Sequence, residues 1–341
     1  MSKVIRKASV PLLSILLAVL IGSFVMFLCG YHPAGAYRSL LKGAFGSSRA
    51  AMTTLEKTVP LIFCGLAAMV SFKSGLFNIG LEGQMVVGAI AYVIIGLKTQ
   101  FLPMPLHVLF CSLFAVFAGA FWASIAGVMK IYCRANEVVS TIMLNHIATL
   151  LAEYLFSGPL MAEGTIPQSD AFDENHVIPA LFSGSKMTWA FVIAVIGCVV
   201  LALFYKYTVI GYNMIAAGDN PRAAEAGGIP MNPTRLLSMA MSGAIAGFGG
   251  GMLVAATYGR FVIDMQSGYG FDGMAISVLG QNSAIGVFLS SILFGGLRTG
   301  SLSMAMFEGV PSELVSILQG LIILTVSAPA LILSFKRRKK S

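Results

Sequence analysis

The sequence predicts an all-α polytopic membrane protein of about ten transmembrane helices. Three observations carry that prediction. Of the 341 residues 57% are hydrophobic and only 11% charged, against about 25% charged in soluble domains. Apolar runs such as 10–30 and 106–129 match the ~20 helical residues that cross a hydrocarbon core of about 30 Å. The alternating ~10-residue segments of a transmembrane β-barrel do not occur.

The spans fall at about 10–30, 58–73, 76–97, 105–130, 137–157, 188–206, 236–257, 272–282, 284–299 and 312–334. The first follows Lys3, Arg6 and Lys7, as a signal peptide would. It is longer than a signal core and has no small-residue cleavage site, so it reads as a retained span. Residues 31–57 form a loop whose spacing suits a short amphipathic helix on the outer surface. Loop 158–187 carries Glu163, Asp170, Asp173 and Glu174 against Lys186 alone; it reads as a solvated loop or as a docking surface for an extracytoplasmic partner.

Two segments are broken by glycines and polar residues at membrane depth: GLFNIGLEGQMVVGA at 75–89 and GYGFDGMAISVLGQNSAIG at 268–286. Irregular backbone is tolerated there only when buried in protein or lining a cavity. Their matching positions suggest inverted repeats, spans 2–5 (58–157) and 7–10 (236–335), both part of a single domain over 1–341.

An even number of spans puts both termini on one side. With the termini cytoplasmic, 14 of the 22 basic residues lie inside and 8 outside, as positive-inside bias requires. Five of those 14 are the tail 336–340, a juxtamembrane anchor. The net charge of +8 is therefore no nucleic-acid signature.

Loop 207–235, cytoplasmic in this orientation, holds a polar island, AAGDNPRAAEAGGIP at 216–230. Asp219 or Asn220 can cap a helix, Pro221 suits its first position, and RAAEA continues it. Gly227 and Gly228 stop it. Two turns are unstable alone, so the helix is held against something. It reads either as a loop on the headgroups or as a device presented to a partner.

In the fifth span Glu137, Thr141, Asn145, Thr149 and Glu153 recur every four residues, so successive members are surface neighbours. The stripe suits interhelical hydrogen bonding or the lining of a path. Glu82, with Asn78 one turn before it, is an ionisable group at depth, a functional position by default or a cap for freed backbone N–H groups. Ser277, Gln281 and Asn282 suit a neutral polar ligand or backbone satisfaction equally well.

The chain has no GxxxxGK[ST] loop, so uphill transport would draw on an ion gradient or a separate ATPase. The five cysteines and four histidines show no metal spacing; the cysteines read as small buried hydrophobes. No nucleophile motif appears.

Together KSGLFNIGLEGQMVVGA, GDNPRAAEAGGI and GYGFDGMAISVLGQNSAIGVFL resemble the permease subunits of bacterial ABC importers. The branch is that of ribose-type sugar and branched-chain amino acid permeases, nearest those for nucleosides and simple sugars. The likeness covers roughly 55–335 in order. It implies a ten-span subunit in the bacterial cytoplasmic (inner) membrane, paired with a second permease that is often a different chain. It also implies ATPase domains that carry the ATP and Mg, an extracytoplasmic binding protein or lipoprotein, and no cofactor in this chain.

The family's coupling helix, which fits a groove of the ATPase, carries over to Asp219, Asn220, Pro221, Arg222, Ala223, Ala224, Glu225, Ala226 and Gly227. The path-lining role of its broken segments carries over to Asn78, Glu82, Gln84, Ser277, Gln281 and Asn282, with Thr141 and Asn145 added from the polar stripe. Gln281 stands where the family pattern leads one to expect a basic residue. The expected function is a non-enzymatic permease subunit of a nucleoside importer. The alternatives are a simple-sugar permease, an ion-coupled transporter without an ATPase, or an accessory scaffold.

Overall fold

The computed structural model describes residues 3–182, 184–311, 313–322 and 324, with side chains from Ile15 onward. The helices are α1 Lys3–Leu28, α2 Pro33–Phe45, α3 Ser48–Lys73, α4 Leu81–Lys98, α5 Met104–Tyr132, α6 Glu137–Phe156, α7 Trp189–Tyr207, α8 Val209–Asp219, α9 Pro221–Ala226, α10 Met231–Leu253, α11 Tyr269–Leu279, α12 Ala284–Glu308 and α13 Glu313–Ile322. A π-helical turn, Val254–Tyr258, extends α10. No strand occurs among the described residues, only two isolated bridges.

Among these, seven helices are long and apolar enough to cross a membrane: α3, α4, α5, α6, α7, α10 with its π turn, and α12. The described parts of the first and tenth expected spans, Ile15–Leu28 and Glu313–Ile322, are shorter apolar helices. Residues beyond 324 of the tenth span, and the basic tail 336–340, lie outside the described residues.

Small residues decide which faces turn inward. In α5 the residues Cys111, Ala115, Gly119, Ala123 and Gly127 recur every four positions and are buried. The opposite face carries Leu106, Leu109, Phe110, Leu113, Phe117 and Phe121, all exposed. In lipid no hydrophobic effect drives helices together, so small residues that permit close backbone approach mark the interfaces. A Cβ on Gly119 or Gly247 would collide with the facing backbone of the other helix. Gly88 of α4 meets the same Gly247, and Gly250 meets the Met85 carbonyl. α10 is thus the spine against which α5 and α4 pack.

The second half repeats these contacts in exchanged order. α3 and α10 pack on each other. α4 and α5 pack on α10, and α11 and α12 pack on α3. Gly273 of α11 lies against Cys64, and Gly295 of α12 against Thr58.

Several expected boundaries move. Helix α3 begins ten residues earlier than the apolar run, because Ser47 caps it by accepting the Ala50 N–H at 3.1 Å. Residues 48–57 are therefore helix rather than loop. The expected surface helix exists as α2, but it buries Ala36, Leu40 and Ala44 and packs on α12 and α3. Gly43 of α2 lies against Ser303, and Gly300 of α12 against the Leu40 carbonyl. Lys57, within the expected loop 31–57, sits in α3, and Arg298 sits in α12.

Loop 158–187 is tied down. Ser169, Phe172 and Ile178 donate backbone N–H groups to the carbonyls of Phe261, Gly259 and Ala255 at 3.0, 2.8 and 2.8 Å. Its four acidic side chains remain exposed. All five cysteines are free; Cys64, Cys111 and Cys198 are buried as expected, whereas Cys29 and Cys133 are exposed.

Candidate translocation path and coupling helix

The polar island folds as a short helix with defined ends. Asn220, not Asp219, is the cap: its Oδ1 accepts the Ala223 N–H at 3.2 Å, while Asp219 closes α8. Pro221 opens the helix. At the other end Gly227 and Ile229 donate N–H groups to the Ala223 and Ala224 carbonyls at 2.9 and 3.0 Å, and Gly228 takes φ +84°. Such an ending satisfies carbonyls that a helix otherwise leaves open.

Only Ala224 of this helix is buried; Pro221, Arg222, Ala223, Glu225 and Ala226 are exposed, as is Gly227. The support comes from α8, whose Met214 and Ala217 are buried. Gly218 lies so close to the Lys73 carbonyl and the Gly75 N–H that no Cβ fits. The knob is thereby seated on the end of α3, and its polar surface has no partner within the chain among the described contacts.

The first broken segment is resolved by amides. Residues 74–80 leave the helix between α3 and α4. Asn78, fully buried, donates to Gln84 Oε1 at 3.0 Å and to Ser242 Oγ at 2.9 Å. Its Oδ1 accepts from the Gly80 N–H at 2.9 Å and from Gln84 Nε2 at 3.1 Å. Asn145 of α6 accepts the Gly83 N–H at 2.8 Å and donates to the Ile79 carbonyl at 2.9 Å. Thr141 accepts the Ile79 N–H at 3.3 Å. Buried backbone groups need such partners.

The polar stripe of α6 thus divides. Thr141 and Asn145 satisfy the break, Glu137 pairs with Lys130 at 2.6 Å, Thr149 returns to its own helix, and Glu153 is exposed.

The second broken segment is a tight turn between α11 and α12. Gln281 and Asn282 take φ +53° and +50°, a left-handed region that few side chains except Asn tolerate well. Ser277 Oγ donates to Asn282 Oδ1 at 2.8 Å, and the Asn282 N–H donates to the Ser277 carbonyl at 2.8 Å. Gly280 and Gly286 touch backbone to backbone.

The two broken segments meet at the N-termini of α4 and α11. Glu82 Oε1 accepts the Gly268 N–H at 3.3 Å, and Gly270 abuts the Glu82 backbone. Glu82 Oε2 is buried with no hydrogen-bond partner. Each helix carries a carboxylate in its first turn, Glu82 and Asp272, where the helix dipole favours negative charge.

None of the eight residues expected to line a path borders the two cavities that flank Lys57. A cavity of about 490 Å³ lies instead at the Ser48 end of α3, bordered by Glu56, Lys57, Lys186, Tyr258 and Tyr269. Of these, Glu56 and Lys57 are hidden in the sequence because 48–57 is too polar to extend an apolar run; Ser47 as a helix cap is the one local signal. Among the described residues no cluster of histidine, cysteine and acidic side chains could hold a metal ion.

A family model described as branched-chain amino acid transport system / permease component matches residues 50–327. The chain is 34% identical over 324 residues to the guanosine ABC transporter permease protein NupP of Bacillus subtilis, covering 94% of this chain and 92% of that one. It is 33% identical over 337 residues to the nucleoside ABC transporter permease protein NupB of Lactococcus lactis, covering 96% and 92%. It is 32% identical over 325 residues to the glucose ABC transporter permease protein TsgB13 of Haloferax volcanii, covering 92% and 85%. Matched by the family model over residues 50–327 and similar to these relatives over most of their length, this multi-pass membrane protein belongs to the branched-chain amino acid transport system permease family.

Proposed function

We propose that the chain is the membrane permease subunit of an ATP-driven importer that moves nucleosides. The observation that carries this reading is the near full-length similarity to two permeases named for guanosine and nucleosides. In this reading the chain pairs with a second permease, usually a different one. An ABC ATPase holds the ATP and Mg, and an extracytoplasmic binding protein or lipoprotein delivers the solute. The chain lies in the lipid bilayer of the bacterial cytoplasmic membrane, binds no nucleic acid and catalyses no reaction itself.

The exposed α9 knob supports a coupling role for residues 219–227, since Ala224 alone anchors it while Arg222 and Glu225 face outward. The exchanged packing of α3, α4 and α5 against α10, α11 and α12 supports two inverted repeats, and the bias of basic residues supports a ten-span chain with cytoplasmic termini. The amide network at the first break supports a structural role for Asn78, Gln84, Thr141 and Asn145 beside the path rather than along it. Glu82, Ser277, Gln281 and Asn282 frame the junctions where the broken segments meet or turn.

A simple-sugar importer is the second reading, supported by the glucose permease relative. The test is uptake of radiolabelled guanosine, uridine and glucose by cells carrying the complete transporter, with and without an intact ATPase. ATP-dependent guanosine uptake is expected. Glucose uptake alone favours the second reading. Uptake that ignores the ATPase and collapses with the ion gradient overturns both.

A further inference from the structure

We infer that the cavity at the Ser48 end of α3 is a solute site of the permease itself, which takes a neutral nucleoside with its base on Tyr258 and its ribose hydroxyls on Glu56. This rests on the nucleoside reading above. The cavity, about 490 Å³, falls in the range of small-molecule sites. Three separate parts of the chain build it: Glu56 and Lys57 from α3, Tyr258 and Tyr269 from either side of the α10–α11 connection, and Lys186 from the loop before α7.

The two tyrosines are not equivalent. Tyr269 is buried, and Arg298 lies over its ring at 4.1 Å from the centroid. One face is therefore taken. Tyr258 is 41% exposed and carries no recorded ring partner among the described contacts. It sits at the end of the π-helical turn, where Gly259 takes φ +64°. Turns of this kind recur at functional sites because they redirect side chains out of the helical repeat. An aromatic face free in a cavity suits a nucleobase, and base–aromatic stacking tolerates any base.

The charges of the cavity disfavour a cationic solute. Glu56 lies within the electrostatic reach of Lys57 and Lys186, so the carboxylate and one ammonium offset each other. The carboxylate can accept two hydroxyl hydrogens of a ribose diol, and the remaining ammonium can donate to a base carbonyl or ring nitrogen.

The site also touches the contact between the two broken segments at the start of α11. Tyr269 follows Gly268, whose N–H is held by Glu82, so one wall of the cavity continues into that contact. A second cavity of about 330 Å³ lies beyond Lys57 and is bordered by Arg298. Lys57 borders both.

The experiment uses the complete transporter in proteoliposomes with saturating binding protein. Radiolabelled guanosine uptake is measured for wild type, Tyr258→Ala, Tyr258→Leu, Tyr258→Phe and Glu56→Gln. Basal ATPase activity and elution as an intact complex certify each variant. Tyr258→Ala and Tyr258→Leu are expected to raise KM for uptake at least tenfold and Glu56→Gln severalfold, while Tyr258→Phe stays within twofold. Intact Tyr258→Leu and Glu56→Gln complexes that import guanosine like wild type overturn the site and leave the importer reading standing. A wild-type transporter that imports glucose and no nucleoside overturns both.

Discussion

Arg298 of α12 donates from Nε to Oδ2 of Asp272 in α11 at 2.8 Å, and its Nη2 lies 2.8 Å from the same oxygen in an ion pair. Its Nη2 also reaches the Ser267 carbonyl at 3.3 Å. The arginine therefore ties the short helix α11 to a full-length neighbour and to the chain leading into it. Removing one partner of a largely buried pair strands the other charge. Arg298→Ala should cost on the order of 3 kcal/mol, read as a lowered unfolding midpoint of the purified protein. Arg298→Ala with Asp272→Ala should recover much of that loss. A single variant as stable as wild type would remove the pair from any role in holding α11.

Asn145 presents both ends of its amide to the broken backbone at Ile79 and Gly83. Asn145→Ala leaves a donor and an acceptor unsatisfied, at about 1–3 kcal/mol each. Asn145→Asp keeps the acceptor and loses the donor, and should fall between. Thermal unfolding of the three proteins checks the order. Equal midpoints would show that the amide does not stabilise the break.

At the knob, stability and coupling should separate. Asn220→Ala removes the cap, worth about 1 kcal/mol, and should loosen α9 alone. Arg222→Ala with Glu225→Ala touches only exposed side chains and should leave the unfolding midpoint unchanged. In the reconstituted transporter the double variant is expected to lower solute moved per ATP hydrolysed. Binding-protein affinity should not change. An unaltered transport-to-hydrolysis ratio would refute the coupling role.

Gly247 receives α4 at Gly88 and α5 at Gly119 on one backbone position. Gly247→Val forces both helices away from α10. Overpacking costs about 1–3 kcal/mol where neighbours can shift, and here the obstacles are backbone atoms. The expected result is loss of the monodisperse protein or a fall in unfolding midpoint larger than for Gly197→Val, whose nearest neighbours are side-chain atoms of Phe63 and Leu66. Equal falls for the two would count against α10 as the packing spine.

The broad architecture was legible because bilayer thickness imposes a length that a sequence window can read. The runs at 105–130, 137–157 and 188–206 appear within two residues as α5, α6 and α7. The knob was equally legible, since Asn220, Pro221 and the Gly227–Gly228 pair act on neighbouring backbone. The start of α3 was less so: residues 48–57 are too polar to extend an apolar run, and their helix depends on the Ser47 cap and on packing beside α2 and α12. The path residues were the hardest. Asn78 and Gln84 read as ligand groups until their mutual hydrogen bonds, and that of Asn78 to Ser242 far along the chain, accounted for them.

By itself the sequence determined that the chain is helical, where most spans lie, where helices must break, and that one short capped helix stands apart. Those properties follow from hydropathy, helix period and local backbone chemistry, which act over one or two turns. Tertiary structure alone decided which glycine meets which backbone, that Glu82 reaches Gly268, that Arg298 answers Asp272, and that Glu56, Lys57, Tyr258 and Tyr269 share one cavity. These partners lie far apart along the chain, and only the close approach of helices, with the need to satisfy buried polar groups, brings them together.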